Sequence, residues 1–88
     1  MGDVLVVYRV MPESPEVPLE RLRGDIEKVL GPVAKRVSTE EEPIGFGLVA
    51  LKVSVVMPDQ GDVSGQVEES LRSIEGVSSA ETIEVGLL

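Results

Sequence analysis

Hydrophobic and polar positions alternate with a period of two from Asp3 to Met11, with Val4, Val6, Tyr8 and Val10 on one side and Leu5, Val7, Arg9 and Met11 on the other. That spacing predicts a strand buried on at least one face. Pro12, Pro15 and Pro18 break the pattern. Leu19, Leu22, Ile26, Val29 and Leu30 then recur at helical spacing, charged residues fill the opposite side, and Gly31-Pro32 supplies a stop. Val33, Lys35, Val37 and Thr39 predict a second, more polar strand at a sheet edge, ending in an acidic turn at Glu40-Glu41-Glu42-Pro43. From Leu48 to Met57 the residues Val49, Leu51, Val53, Val55 and Met57 form one apolar face, opposite Ala50, Lys52 and Ser54. Pro58-Asp59-Gln60-Gly61-Asp62 reads as a turn, and Val63, Val67, Leu71 and Ile74 predict a second helix that stops at Gly76. A last alternating strand runs from about Val77 to Val85 through Ser79, Glu81, Ile83 and Val85, and Gly86-Leu87-Leu88 is expected to fray.

The order strand, helix, strand, strand, helix, strand is a split strand-helix-strand unit used twice. Each helix needs a sheet face for its apolar stripe, and right-handed crossovers leave both helices on the same side. The predicted class is α+β, a ferredoxin-like βαββαβ sandwich with a four-stranded antiparallel sheet and two helices on one face. The first and third strands, being the most apolar, belong in its centre. The opposite face would be open and would carry Leu5, Val7, Arg9, Ala50, Lys52 and Ser54.

Composition narrows the function more than it narrows the fold. At 88 residues, with 42% hydrophobic content, the chain is expected to be one ordered domain spanning residues 1–88. It contains no Cys and no His, which removes thiolate chemistry, disulfides and the commonest acid-base group and metal ligand. We therefore expect no cofactor, no metal and no catalytic residue. Sixteen acidic residues against eight basic ones give a net charge of −8, which disfavours a nucleic-acid backbone as direct partner and favours a protein. Arg9 and Pro12 interrupt the first apolar run, nothing there resembles a signal peptide, and no run is long enough for a membrane span, so a cytoplasmic protein is expected, with no membrane partner. The acidic run Glu40-Glu41-Glu42 has no His, Cys or Lys beside it and reads as a solvated turn.

The most distinctive stretch is Pro43-Ile44-Gly45-Phe46-Gly47, which sets the only Phe of the chain between two glycines just before the longest apolar run. Two readings are open on local sequence. Phe46 is either a core plug at the start of a strand, with the glycines marking a turn or bulge, or a ring presented to a partner on a permissive backbone.

The sequence from Ile44 to Val53, with Val10-Met11-Pro12, the two helices and the Val56-Met57-Pro58-Asp59 turn, resembles the guanine-nucleotide exchange domain of elongation factor 1-beta. In that family a Gly-aromatic-Gly loop leads into the third strand. The short length and the segment from Glu41 to Leu51 are similar to its archaeal members. The resemblance implies an exchange factor that promotes GDP release and GTP loading on elongation factor 1-alpha during translation, without chemical catalysis of its own. It also implies a partner-binding site at Ile44, Gly45, Phe46 and Gly47, with Phe46 as anchor, on a protein expected to be monomeric when free. Eukaryotic members carry a Lys next to the C-terminus that is understood to disturb the Mg²⁺ site, and a Lys pair where Val49 and Ala50 stand here. This chain ends Glu84-Val85-Gly86-Leu87-Leu88, and Lys52, as the nearest substitute cation, is counted with Ile44, Gly45, Phe46 and Gly47 in the expected partner-binding site. A different function compatible with the same fold is a small-molecule-sensing regulatory domain that homodimerises, with Leu5, Val7 and Met11 as contacts.

Overall fold

The computed structural model describes residues 2–59 and 63–88. Its elements are β1 (Asp3–Pro12), α1 (Leu19–Leu30), β2 (Arg36–Gly45), β3 (Leu48–Pro58), α2 (Val63–Arg72) and β4 (Val77–Leu87). The four strands form one antiparallel sheet in the order β2-β3-β1-β4, so the two most apolar strands occupy the centre as the pattern predicts. The fold is the ferredoxin-like α+β arrangement.

Register explains why one side of this sheet becomes the core. Val6 pairs with Val55, Tyr8 with Val53 and Val10 with Leu51, and directly opposed residues share a face. These side chains form a continuous apolar floor that meets Leu22, Ile26 and Leu30 of α1 and Val67 and Leu71 of α2. The helical spacing seen in the sequence is therefore the spacing of contact with the sheet. Pro18, the N-cap of α1, offers no side-chain cap, but Glu20 in its first turn and Lys28 in its last complement the helix dipole. Among the described residues the other side carries no helix, and Leu5, Val7, Arg9, Ala50, Lys52 and Ser54 lie on it as expected. Val7 and Ala50 are nevertheless buried there.

Four expectations need correction. The second strand begins at Arg36, and Val33 lies in the turn after α1. The acidic run is not a turn, because β2 continues through Glu40, Glu41 and Glu42 to Gly45, and all three glutamates are in register with β3. Local polarity pointed to a turn, whereas the shortness of the connection to β3 obliges the strands to pair along their whole length. The last strand does not alternate simply. Val7 pairs with Glu84 but Tyr8 with Thr82, making Ile83 an extra residue, and a second shift falls between Ser79 and Val77. Ser79, Glu81, Glu84 and Gly86 therefore share the open side, while Ala80, Thr82 and Val85 stand opposite the core-facing Val10, Tyr8 and Val6. The bulge near Thr82 is held from α2: the Thr82 backbone N–H and its Oγ1 donate to Glu68 Oε2 at 3.1 and 2.7 Å, and Arg72 bonds Glu68 Oε1. Finally, Leu87 pairs with Val4, and the Leu88 N–H donates to the Asp3 carbonyl at 2.9 Å, so the last residues are part of the sheet. The expected turn from Pro58 to Asp62 falls in part outside the described residues.

Tyr8 has no exposed surface and lies on the helix side, so no aromatic ring is displayed on the open face for base stacking. Burial, with the charge of Glu68 adding to it, pushes its phenol from the usual 10.0 up to about 12. The folded state thus holds the Tyr8 proton more tightly than the unfolded chain. Its contribution is present in full below pH 10 and is lost as pH rises towards 12, at no more than about 1.4 kcal/mol per pH unit. Urea unfolding between pH 9 and 12 should show this alkaline decline, and Tyr8→Phe should flatten it.

Candidate functional site

Gly45 pairs with Leu48, leaving Phe46 and Gly47 as a two-residue connection between β2 and β3. Connections of this length match the right-handed twist of their strands when both central residues take positive φ. Here φ is 55° at Phe46 and 78° at Gly47, and Gly45 before them is at 119°. Glycine adopts such values freely, but a residue with a Cβ is disfavoured there by roughly 1–2 kcal/mol. Phe46 is therefore held in an unfavourable conformation by the hairpin around it.

That strain is not repaid by burial. Phe46 is fully exposed, at 103% of its reference surface, which excludes the core-plug reading. Ile44 beside it is 46% exposed. Pro43 pairs with Val49 and Gly45 with Leu48, so Ile44 is an additional residue in β2, and this bulge bends the strand just before the turn. The connection between β1 and α1 closes against the other side of the tip. Pro15 approaches to 3.9 Å from where a Cβ on Gly47 would stand, and a cleft of about 30 Å³ is lined there by Pro12, Pro15, Val17, Leu19 and Val49 among others.

Ile44, Gly45, Phe46 and Gly47 thus form one exposed tip, a point that the local sequence leaves open. Lys52 does not join it. Five residues along β3 from Gly47, on the order of 17 Å at the usual strand rise, Lys52 lies on the open face in register with Arg9 of β1 and Glu40 of β2. It forms no ion pair among the described residues. The sequence reading missed the Pro15 side of the tip, because nothing in a run of separated prolines announces that the chain returns to the hairpin. Among the described residues, no group of three or more Asp, Glu, His or Cys side chains is arranged to hold a metal ion.

A family model described as "EF-1 guanine nucleotide exchange domain" matches residues 5–88. The chain belongs to the EF-1 guanine nucleotide exchange domain family. It is similar over its full length to proteins named elongation factor 1-beta. That of Methanoculleus marisnigri is 48% identical over 88 residues, covering 100% of both chains. That of Methanothermobacter thermautotrophicus is 47% identical over 85 residues, 97% of this chain and 96% of the relative. That of Pyrobaculum aerophilum is 44% identical over 81 residues, 91% of this chain and 88% of the relative. Nothing in the fold or among these relatives favours the small-molecule-sensing alternative. Among the described residues of this exchange-domain chain, the hairpin tip is where an apolar side chain is most fully presented, and it sits at the turn that leads into the third strand.

The backbone of the tip makes a prediction independent of any partner. Phe46→Asn introduces a residue that tolerates positive φ ahead of Gly47 while removing no buried contact. It should raise unfolding stability by about 0.5–1 kcal/mol, measured by denaturant titration.

Proposed function

We propose that the Phe46 hairpin is the element through which this exchange-domain chain engages elongation factor 1-alpha and promotes release of its GDP. The family carries the nucleotide-exchange role in translation elongation. The observation that supports this hairpin as the site is the fully exposed Phe46, held at φ 55° between Gly45 and Gly47. A strained aromatic with no intramolecular contact to justify it is accounted for by a contact in another molecule. Ile44 supplies apolar surface beside the ring, and the two glycines let the backbone approach the partner closely.

Exchange of this kind makes and breaks no covalent bond, and the protein acts as a binding factor rather than an enzyme. A factor that binds the nucleotide-free GTPase more tightly than its GDP form weakens GDP binding by the same ratio. A thousandfold weakening corresponds to about 4 kcal/mol of differential binding. An aromatic anchor entering a desolvated pocket supplies energy on this scale, with hot-spot truncations costing about 2 kcal/mol or more. Lys52, on the open face, contributes charge to the approach rather than contact at the tip. The free protein acts as a cytoplasmic monomer, and neither nucleic acid nor membrane takes part in the contact.

Release of a fluorescent GDP analogue from the cognate elongation factor 1-alpha tests the reading. Phe46→Ala should slow exchange at least ~10-fold, about 1.4 kcal/mol, with thermal unfolding unchanged within a few degrees. A fully active Phe46→Ala protein would refute the assignment. Phe46→Asn should lose exchange to a similar extent while gaining stability, separating the anchor from the turn.

Lys52→Gln should give a smaller loss, less than about threefold, seen in the association rate and fading as salt is raised above ~0.5 M. A loss as large as that of Phe46→Ala and insensitive to salt would place Lys52 in direct contact instead.

A further inference from the structure

The acidic run Glu40-Glu41-Glu42 is the prominent sequence feature that the hairpin tip leaves unused. In the folded chain its charges are divided by strand alternation. Glu42 lies in register with Ala50 on the open face, and Glu41 with Leu51 on the helix face. Each is met by an arginine from its own side. Arg9 Nε donates to Glu42 Oε1 at 3.0 Å, and Arg23 Nη2 of α1 donates to Glu41 Oε2 at 3.2 Å.

Arg9 is unusual in its reach. It stands on β1, yet Glu42 belongs to β2, with β3 lying between them. Arg9 also approaches β4 on its other side, its Nη1 being 3.5 Å from Glu81 Oε1. The guanidinium can cross β3 because the residue diagonal to Arg9 and opposite Glu42 is Ala50, whose methyl group is buried beneath this crossing. A longer side chain at that position would stand in the way. Glu42 is followed by Pro43, which is opposite Val49 and is the last position of β2 in register before the Ile44 bulge. The strap therefore grips the hairpin at the point beyond which its backbone bends.

We propose that Arg9 is a positioning residue for the Phe46 hairpin, acting through an ionic strap from Glu81 over Ala50 to Glu42 that sets the direction in which the tip leaves the sheet. The physical basis is leverage. The pairing of β1 with β3 ends at Val10 opposite Leu51, so among the described residues the stem beyond Glu42 has no third strand in register with it, and a small change in its pitch becomes a larger displacement of the ring. A half-exposed ion pair adds little to global stability. Its effect lies in the orientation of an anchor that must enter a pocket, where displacement by about 1 Å can cost a large factor. This rests on the reading of the hairpin as the exchange element.

The test is a double-mutant cycle in the GDP-release assay with the full chain, combining Arg9→Gln and Phe46→Ala. Arg9→Gln should slow exchange by about threefold to tenfold in the parent protein, with little change in thermal unfolding. It should have no further effect in the Phe46→Ala background, because Arg9 acts only through the ring. Glu42→Gln should reproduce the loss, and Arg9→Lys should restore part of it. Amide hydrogen exchange supplies a readout that needs no partner: Arg9→Gln should speed exchange of the amides from Glu42 to Leu48 severalfold and leave those of β1 unchanged. Independent, multiplicative losses from Arg9→Gln and Phe46→Ala would overturn the inference and make Arg9 a contact in its own right. An active Arg9→Gln protein beside an impaired Phe46→Ala protein would overturn it while leaving the hairpin reading in place. An unimpaired Phe46→Ala protein would remove both.

Discussion

The two-residue turn at Phe46-Gly47 is the constraint on which most of this molecule's functional surface depends. A connection that short obliges β2 and β3 to pair from the first residue beyond it, and its handedness demands positive φ at both central positions. Once Gly45 is opposite Leu48, the parity of β2 is settled back to Arg36, apart from the one-residue bulge at Ile44. That parity sends Glu40 and Glu42 to the open side and Glu41 towards α1. The same turn leaves its first central side chain pointing away from everything else in the chain. An aromatic ring at such a position has no core to join.

Charge is arranged to suit this geometry. An edge strand with three successive carboxylates and a proline is poorly suited to pairing with another chain, which blunts the open edge of β2. The neighbouring carboxylates would repel one another if all pointed into the same volume, and alternation separates them across the sheet. Arg9 and Arg23 then draw Glu42 and Glu41 to opposite faces of the stem. The far edge is handled differently. Bulges in β4 and the bonds that Thr82 donates to Glu68 break the regularity that another strand would need.

The division of labour between layers follows. α1, α2 and the inner face of the sheet hold nearly all of the buried apolar side chains, and they lie against the middle of the strands. The hairpin tip carries Phe46 and Ile44 outside that core, in a molecule 42 Å long and 21 by 17 Å across. Stability and presentation are thereby separated in space. The tip can carry a strained, exposed residue without opening the core, and a contact made there is transmitted to a stiff sheet rather than to a loose loop. For a factor whose action consists of binding one state of its partner better than another, a stiff lever loses little of its binding energy to its own rearrangement.

The sequence by itself determined the element order, the central place of β1 and β3, both helices and the distinctiveness of Ile44 to Gly47. Each of these is a consequence of periodicity or of residue types with few conformational options, and such signals are local. It also determined family membership, since the Gly-Phe-Gly turn and the strand after it are contiguous. Only the tertiary structure decided that Phe46 is exposed, because a ring between two glycines serves a core or a surface equally well until the turn type is known. Tertiary structure also decided that Glu40 to Glu42 continue a strand. The compensating charges, Arg9 and Arg23, stand on β1 and α1, 33 and 18 residues away from the glutamates they meet. The bulges of β4 are set by Glu68 reaching from a neighbouring helix, and the pairing of Leu87 with Val4 by the opposite end of the chain. In each case the deciding partner is distant in sequence, and no local pattern records it.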